Sequence, residues 1–367
     1  MNIIPHHDEI LHSDAFRFQG ELVGVVPIEI SLPGRGYDLV AHHRSVWKKL
    51  CEQAGFTDSA PRIVRLDMCP VRVNEWEYEY PILEVNVLGP ECIDALCMAY
   101  LAFRDRLPLR NPMEMLKLHL INWAREKRIL FLLTEDSRAI KHQWGPGVVE
   151  CARRAEIEMD MILPEEFLRM EAEELRECAI WPHGDAIVGD NRMSQFPAPV
   201  IEKLLRIKDA GIPMLNSPIR EEKLGDKFVL EGLDRAKAGR PILLHADVTI
   251  PNVAREDWVI KPRLGSSGNG LTFGHLVSDE RWDDDLQEAR NKRGTHFLSR
   301  RMQPMSIRFG GERLVMDMNV TYLAEGAHLT PLWGITRADL EENVRRRGTM
   351  NVSCGGGFSP FPITLSG

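Results

Sequence analysis

Ile63-Val64-Arg65-Leu66-Asp67-Met68 and Pro81-Ile82-Leu83-Glu84-Val85-Asn86-Val87 are two runs in which polar side chains alternate with apolar ones. Side chains two apart on a β-strand share a face. Arg65 and Asp67 therefore point one way, as do Glu84 and Asn86, with Val64, Leu66, Val85 and Val87 on the opposite faces. If the strands pair with their polar faces together, Asp67, Glu84 and Asn86 bring three oxygen donors beside the Arg65 guanidinium. Mg²⁺ takes near-octahedral oxygen ligation from a few carboxylates, with phosphate and water completing the shell. Such a hard donor set argues against zinc. The same pattern also suits an ordinary half-buried hairpin with a polar solvent face.

Far downstream, Trp258-Val259-Ile260-Lys261-Pro262 is a short apolar run ending in Lys-Pro. After Gly265-Ser266-Ser267-Gly268-Asn269-Gly270 the strand pattern resumes at Leu271-Thr272-Phe273, which makes the segment strand–loop–strand. Neither a G-x-x-x-x-G-K-[ST] run nor a dinucleotide fingerprint opens a helix here. A Gly/Ser loop between strands folds over triphosphate oxygens through its N–H groups, with Lys261 beneath as a point charge. The bland alternative is a flexible hairpin turn. Ser217-Pro218 has the form of a helix start, and Gly239 and Pro241 of a stop, which places Lys223 and Lys227 on one helix. Lysines there are either solvated or a second phosphate contact.

In their joint order these features resemble the circularly permuted ATP-grasp ligases, in particular the glutathionylspermidine synthetase-like group. That group has R-x-D and then E-[YV]-N, later an N-K pair, a V-x-K-P strand with a glycine loop, and a closing G-I-x-x-R…N-x-S. The counterparts are Arg65/Asp67, Glu84/Asn86, Asp226-Lys227, Val259-Ile260-Lys261-Pro262, Gly334-Ile335-Thr336-Arg337 and Asn351-Val352-Ser353. Three departures stand out. Asp226 replaces the usual Asn. The run Asn351 to Phe358, with Gly355-Gly356-Gly357, is closer to the R…N-x-x-x-G-G segment of unpermuted ligases that extend peptides. No amidase domain precedes the synthetase region, so glutathionylspermidine is not the expected product.

The resemblance implies an α/β (α+β) protein with the ATP-grasp fold in circularly permuted order, plus a Rossmann-like α/β substrate (pre-ATP-grasp) subdomain. Residues 1–120 are expected to form the first part of the catalytic subdomain and 121–200 the pre-ATP-grasp unit. Residues 201–300 would form the lid with the glycine loop, and 301–367 the second part of the catalytic subdomain. The implied activity is ATP-dependent carboxylate–amine ligation through an acyl phosphate, with ATP and Mg²⁺ required. Asp67, Glu84 and Asn86 would hold the metal. Lys227, Lys261 and Gly265, Ser266, Ser267, Gly268, Asn269 and Gly270 would hold the phosphates. Arg65, Arg337 and Arg347 would act on the transferring phosphoryl or the carboxylate, with one of Arg346 and Arg347 facing inward from a strand. Asn351, Gly355 and Gly356 would line the acceptor pocket, and residues near Ser299–Gln303 the adenine hinge. A kinase-like phosphotransferase and an idle nucleotide-binding protein are the rival classes.

Composition agrees with a cytoplasmic enzyme. The 367 residues are 44% apolar and carry a net charge of −8, which disfavours a nucleic-acid partner and suits small carboxylate and amine substrates (amino acid, peptide or polyamine). No apolar stretch reaches membrane-spanning length, and the N-terminus lacks the pattern of a signal peptide. Seven cysteines without C-x-x-C spacing read as reduced thiols, with Cys354 as a small buried thiol. His6-His7 and His42-His43 lack partner cysteines, so no zinc site is expected. Within the second block, strands are expected at 128–133, 159–163 and 186–188, a helix at 146–156 and an exposed amphipathic helix at 164–178. Two strands, 312–318 and 319–323, are expected to pack against the first block.

Overall fold

The computed structural model describes residues 17–18, 21–22, 39–56, 60–72, 78–87, 93–105, 110–134, 144–184, 186, 195–219, 224–233, 241–250, 254–264, 270–302, 304, 306–309, 312–348 and 357–361. In chain order the principal elements begin with α1 (Leu39–Ala54), β1 (Arg62–Met68), β2 (Ile82–Asn86), α2 (Ile93–Phe103) and α3 (Pro112–Ala124). Next come β3 (Arg128–Leu133), α4 (Trp144–Arg154), β4 (Met159–Ile162), α5 (Pro164–Arg169), α6 (Ala172–Arg176) and β5 (Cys178–His183). They are followed by α7 (Ala198–Asp209), α8 (Lys227–Leu233), β6 (Ile242–Leu243), β7 (Trp258–Pro262), β8 (Thr272–Phe273), α9 (Asp279–Asn291) and β9 (His296–Arg300). The chain closes with β10 (Ser306–Phe309), β11 (Glu312–Glu325), β12 (His328–Leu340), α10 (Glu341–Arg347) and β13 (Gly357–Phe361).

Strands from both ends of the chain build one antiparallel sheet, β13-β12-β11-β1-β2, with β10 pairing the start of β11. Val64, Leu66 and Met68 of β1 pack with Val85, Val320 and Tyr322 against Trp47 and Leu50 of α1 and Leu230 of α8. On the other face, Ile63, Leu323, Trp333 and Ile335 join the core of the α2, α3, α4, β3, β5 unit. That unit is a parallel sheet, β4-β3-β5. A third sheet, β6-β9-β7-β8, is antiparallel and packs Trp258, Ile260 and Leu298 on Trp282 and Ala289 of α9. Among the described residues no helix is long and apolar enough to cross a membrane.

Five local expectations are corrected. The third parallel strand is Cys178–His183 rather than 186–188, of which Ala186 is outside any strand and 187–188 lie outside the described residues. Pro182 argues against a strand by sequence because it lacks an N–H. Here the missing donor falls on the outer edge, two residues after Ile180, whose N–H goes to Pro213 O. The acidic stretch from 164 is two short helices, because Phe167 and Leu175 turn into the core and Cys178 already belongs to β5.

Ser217-Pro218 does not open a helix. The Ser217 carbonyl and hydroxyl accept from the buried Arg62 guanidinium and the hydroxyl also accepts from Lys208, so that side chain is committed elsewhere. The helix starts at Lys227, with Asp226 Oδ1 accepting from Phe228 N at 3.0 Å as its N-cap. Lys223 lies outside the described residues. The segment from 312 is one 14-residue strand rather than two. Arg345, Arg346 and Arg347 sit in the last turn of α10, not on a strand.

Arg62 joins three of these segments at the start of β1. It is fully buried and donates to Val87 O after β2, at 3.0 Å, as well as to Ser217. Buried carbonyls left without a donor each cost about 1–3 kcal/mol. Arg62→Met is therefore expected to lower the free energy of unfolding in urea by at least that amount. Lys48→Met, on the exposed side of α1, is expected to stay within about 0.5 kcal/mol.

Candidate active site

The register of β1 and β2 places Arg65 opposite Asn86 and Asp67 opposite Glu84. On the other edge of β1, Asn319 of β11 stands opposite Asp67, and Asp317 of β11 stands opposite Arg337 of β12. One face of four adjacent strands thus gathers Glu84, Asn86, Arg65, Asp67, Asn319, Asp317 and Arg337. Asp317 and Asn319 are not among the residues expected at the site, because two strands at 312–318 and 319–323 put them on separate elements. Their signal is the Met316-Asp317-Met318-Asn319-Val320 alternation, the same period as in β1.

Asp67 is held from two sides. Arg65 grips both its oxygens, Nε to Oδ1 at 2.6 Å and Nη2 to Oδ2 at 3.1 Å, and Arg337 Nη2 reaches Oδ2 at 3.2 Å. Arg337 in turn donates its backbone N–H to Asp317 Oδ1 at 3.1 Å and its Nε to Oδ2 at 2.8 Å. Asn319 Nδ2 completes the shell of Asp317 Oδ1 at 3.1 Å. Burial pushes the Asp67 carboxyl up, but the Arg65 and Arg337 guanidiniums, with Asn86 beside it, more than offset this and hold it below the usual range. At Asp317 burial wins: the Arg337 contacts offset it only in part, Asp67 repels, and the carboxyl is held above its ordinary value. The two carboxyls are thereby pushed apart in acidity, a pattern typical of functional sites. Arg337 is burdened by burial yet driven further toward its charged form by Asp317 and Asp67.

Two lysines pair with carboxylates around α8. Lys227, at the start of α8, lies 3.2 Å from Glu84 Oε1. Lys261 of β7 lies 2.7 Å from Glu231 Oε1 of the same helix, and Ser299 Oγ of β9 donates to Glu231 Oε2 at 2.6 Å. Asp226, in the place of the usual Asn, caps α8 and pairs with Arg263 beyond β7, an ion pair that Asn could not make. Arg347 pairs with Asp339, two residues past Arg337 and on the same face of β12. Directly after α10, Gly348 has φ 76° and a Cβ there would stand 2.5 Å from the Phe273 ring of β8. Only glycine allows that approach of the end of α10 to β8.

Gly270 is exposed at the entry to β8. Gly265, Ser266, Ser267, Gly268, Asn269, Gln303, Asn351, Cys354, Gly355 and Gly356 lie outside the described residues. Among the described residues no group of three or more His, Cys, Asp or Glu is placed to hold a metal ion. The oxygen donors Asp67, Glu84 and Asn86 nevertheless fit Mg²⁺, which draws most of its shell from phosphate and water and needs only one or two protein carboxylates.

No protein-family model matches the sequence. No curated protein matches it either. Among solved structures, a glutathione synthetase-like effector (GSS30) from Globodera pallida, in its apo form, is similar with a TM-score of 0.53 and 12% identity, over 97% of this chain and 95% of that one. A putative γ-glutamylcysteine synthetase from Methylobacillus flagellatus KT is similar with a TM-score of 0.38 and 12% identity, over 84% and 85% of the two chains. The first likeness shows a shared fold. The chain has a mixed α/β architecture and shares the fold of that effector.

A carboxylate whose acidity is raised by the fold contributes stability above its unfolded value, about 3.9 for Asp, and loses that contribution as pH falls through the lower folded value. Asp67 is of this kind. The gap between wild-type and Asp67→Asn urea midpoints is expected to be widest at neutral pH and to close in the acid range below about pH 4. A gap independent of pH would contradict the arrangement.

Proposed function

We propose that this chain is an ATP-dependent carboxylate–amine ligase on an ATP-grasp fold in circularly permuted order. The observation that carries the proposal is the convergence of Arg65, Asp67, Glu84, Asn86 and Arg337 on one sheet face, with Lys227 reaching that face and Lys261 on the facing sheet. In this reading residues 1–120 and 301–367 supply the catalytic sheet, 201–300 the lid and 121–200 the Rossmann-like substrate unit.

A carboxylate is a poor electrophile because its charge is delocalised over two oxygens. Transfer of the γ-phosphoryl group of ATP to one of those oxygens, with ADP leaving, gives an acyl phosphate. An amine then attacks the acyl carbon, phosphate departs with the C–O bonding pair, and the amine proton is lost to solvent. Phosphoryl transfer demands positioning and charge neutralisation rather than covalent help from the protein. Lys227 and Lys261 would bind the phosphates. Arg65 and Arg337 would neutralise charge on the transferring group and the acyl oxygen, Arg337 being aimed by Asp317. Asp67, Glu84 and Asn86 would hold Mg²⁺, which supplies charge neutralisation on the phosphates. The segment Gly265–Gly270 would cover the phosphates and exclude water from the acyl phosphate. Arg347 would extend the cationic wall, and Asn351, Gly355 and Gly356 the acceptor pocket.

The charge of the site supports small anionic and cationic substrates of the amino acid, peptide or polyamine kind. The test is ADP and phosphate release from the protein with Mg-ATP, against carboxylates crossed with amines. Release that needs both partners, with a product one water lighter than their sum, is the expected outcome. Release with a carboxylate or alcohol alone would replace ligation by phosphotransfer. In the active pair, Glu84→Gln is expected to abolish turnover without unfolding the chain. Lys261→Ala is expected to raise the KM for ATP by tenfold or more, about 1.4 kcal/mol of lost binding. Normal turnover of Glu84→Gln would remove the metal assignment.

A further inference from the structure

Lys227 and Glu231 are four residues apart on α8 and so share one side of the helix. Each meets a different sheet: Lys227 pairs with Glu84 on β2, and Glu231 pairs with Lys261 on β7 and accepts from Ser299 on β9. Both lysines of the proposed phosphate site are therefore already matched by carboxylates. The two pairs differ in what surrounds them. Glu231 is buried and has Ser299 as a further donor, so it stays satisfied if Lys261 shifts. Glu84 is 26% exposed, against 4% for Asp67, and it is the more open of the two carboxylates offered to a metal. Its Oε1 already carries an ammonium group at 3.2 Å. A divalent cation and that ammonium repel each other strongly at such range, so one displaces the other.

We propose that the Lys227–Glu84 pair makes divalent-metal binding and nucleotide binding mutually dependent: the metal takes the Glu84 carboxylate as Lys227 leaves it for the phosphates. The inference rests on the ATP-binding reading above. Linkage makes the dependence reciprocal, since whatever factor the metal adds to nucleotide affinity the nucleotide adds to metal affinity. A shared phosphate ligand alone would also link the two, so the test isolates the ion pair.

The experiment is a double-mutant cycle read by equilibrium binding to the full chain. Mn²⁺ is followed by the electron paramagnetic resonance of the free ion, and a non-hydrolysable ATP analogue by calorimetry, each alone and together. The proteins are wild type, Lys227→Met, Glu84→Gln and the double variant, with circular dichroism and thermal unfolding to confirm each fold. Lys227→Gln replaces Lys227→Met if the latter does not fold. Glu84→Gln is expected to bind the metal-free analogue more tightly than wild type, by a factor on the order of 5–150. That gain is expected to vanish in the double variant, and Lys227→Met is expected to bind Mn²⁺ alone more tightly than wild type. If Glu84→Gln gains nothing, or gains equally in the Lys227→Met background, the change is a general charge effect and the coupling is overturned. If wild type binds the analogue neither with nor without Mn²⁺, the ATP-binding reading itself fails. Nucleotide binding with an additive cycle sinks only the coupling.

Discussion

Asp67 lies buried between two guanidiniums, and the remainder of the site depends on that arrangement. One guanidinium comes from its own strand and the other from β12, far along the chain. Removing a single member of such a buried set leaves an uncompensated charge, which costs about 3–5 kcal/mol. The set is therefore cooperative. β1 must pair with β2 on one edge and β11 on the other for Arg337 to reach Asp67, and Arg337 must be fixed by Asp317 for the second contact to form. Strand register is rigid for the same reason: a one-residue slip would send Arg65 and Asp67 into the apolar layer beneath α1 and α8.

What was legible in the sequence follows from locality. The Arg65/Asp67 and Glu84/Asn86 alternations, and the strand–loop–strand around Lys261, are short-range patterns set by a half-buried sheet, and a period of two betrays them. That the strands after 312 pack on the first block is an expectation of the resemblance, but the register of β1 against β11 leaves no comparable trace, because it is decided only after the chain is folded. Ser217-Pro218 has the local form of a helix cap, but the serine is drawn off by Arg62, a tertiary partner. Pro182 has the local form of a strand breaker, but its missing donor faces an edge where none is needed. Asp317 and Asn319 shared the period of β1 and were hidden only by cutting their strand in two.

The same division holds between the two kinds of charge in the cleft. The Arg65–Asp67 and Arg337–Asp317 contacts are multiply bonded around buried carboxylates, so they stiffen this face of the sheet. The Lys227–Glu84 pair is a single contact at a carboxylate 26% exposed, where solvent screening keeps the attraction small, whereas the Lys261–Glu231 pair is as buried as the arginine pairs. A fold that needs rigid donors and movable counter-ions is expected to put them on different supports. Here the first lie in the middle of a sheet, while Lys227 stands on α8 and Lys261 next to the last residue of β7.

α8 is then more than a spacer. Its first residue reaches the six-stranded sheet, its fifth reaches the four-stranded one, and its cap, Asp226, is tied to Arg263 on the same side as Lys261. Leu230 packs into the apolar core that the six-stranded sheet shares with α1, with Val229 and Leu233 against it, so the helix stays with that sheet even where the Lys227–Glu84 pair is exchanged. The polar contacts to Lys261, Ser299 and Arg263 are then what join the four-stranded sheet to it. Phe273 of β8 packs over Gly348 at the end of α10, a contact with no charge to trade. The two sheets are thus joined through α8 by charged contacts and at the end of α10 by packing, and only the charged contacts can answer a change in bound charge.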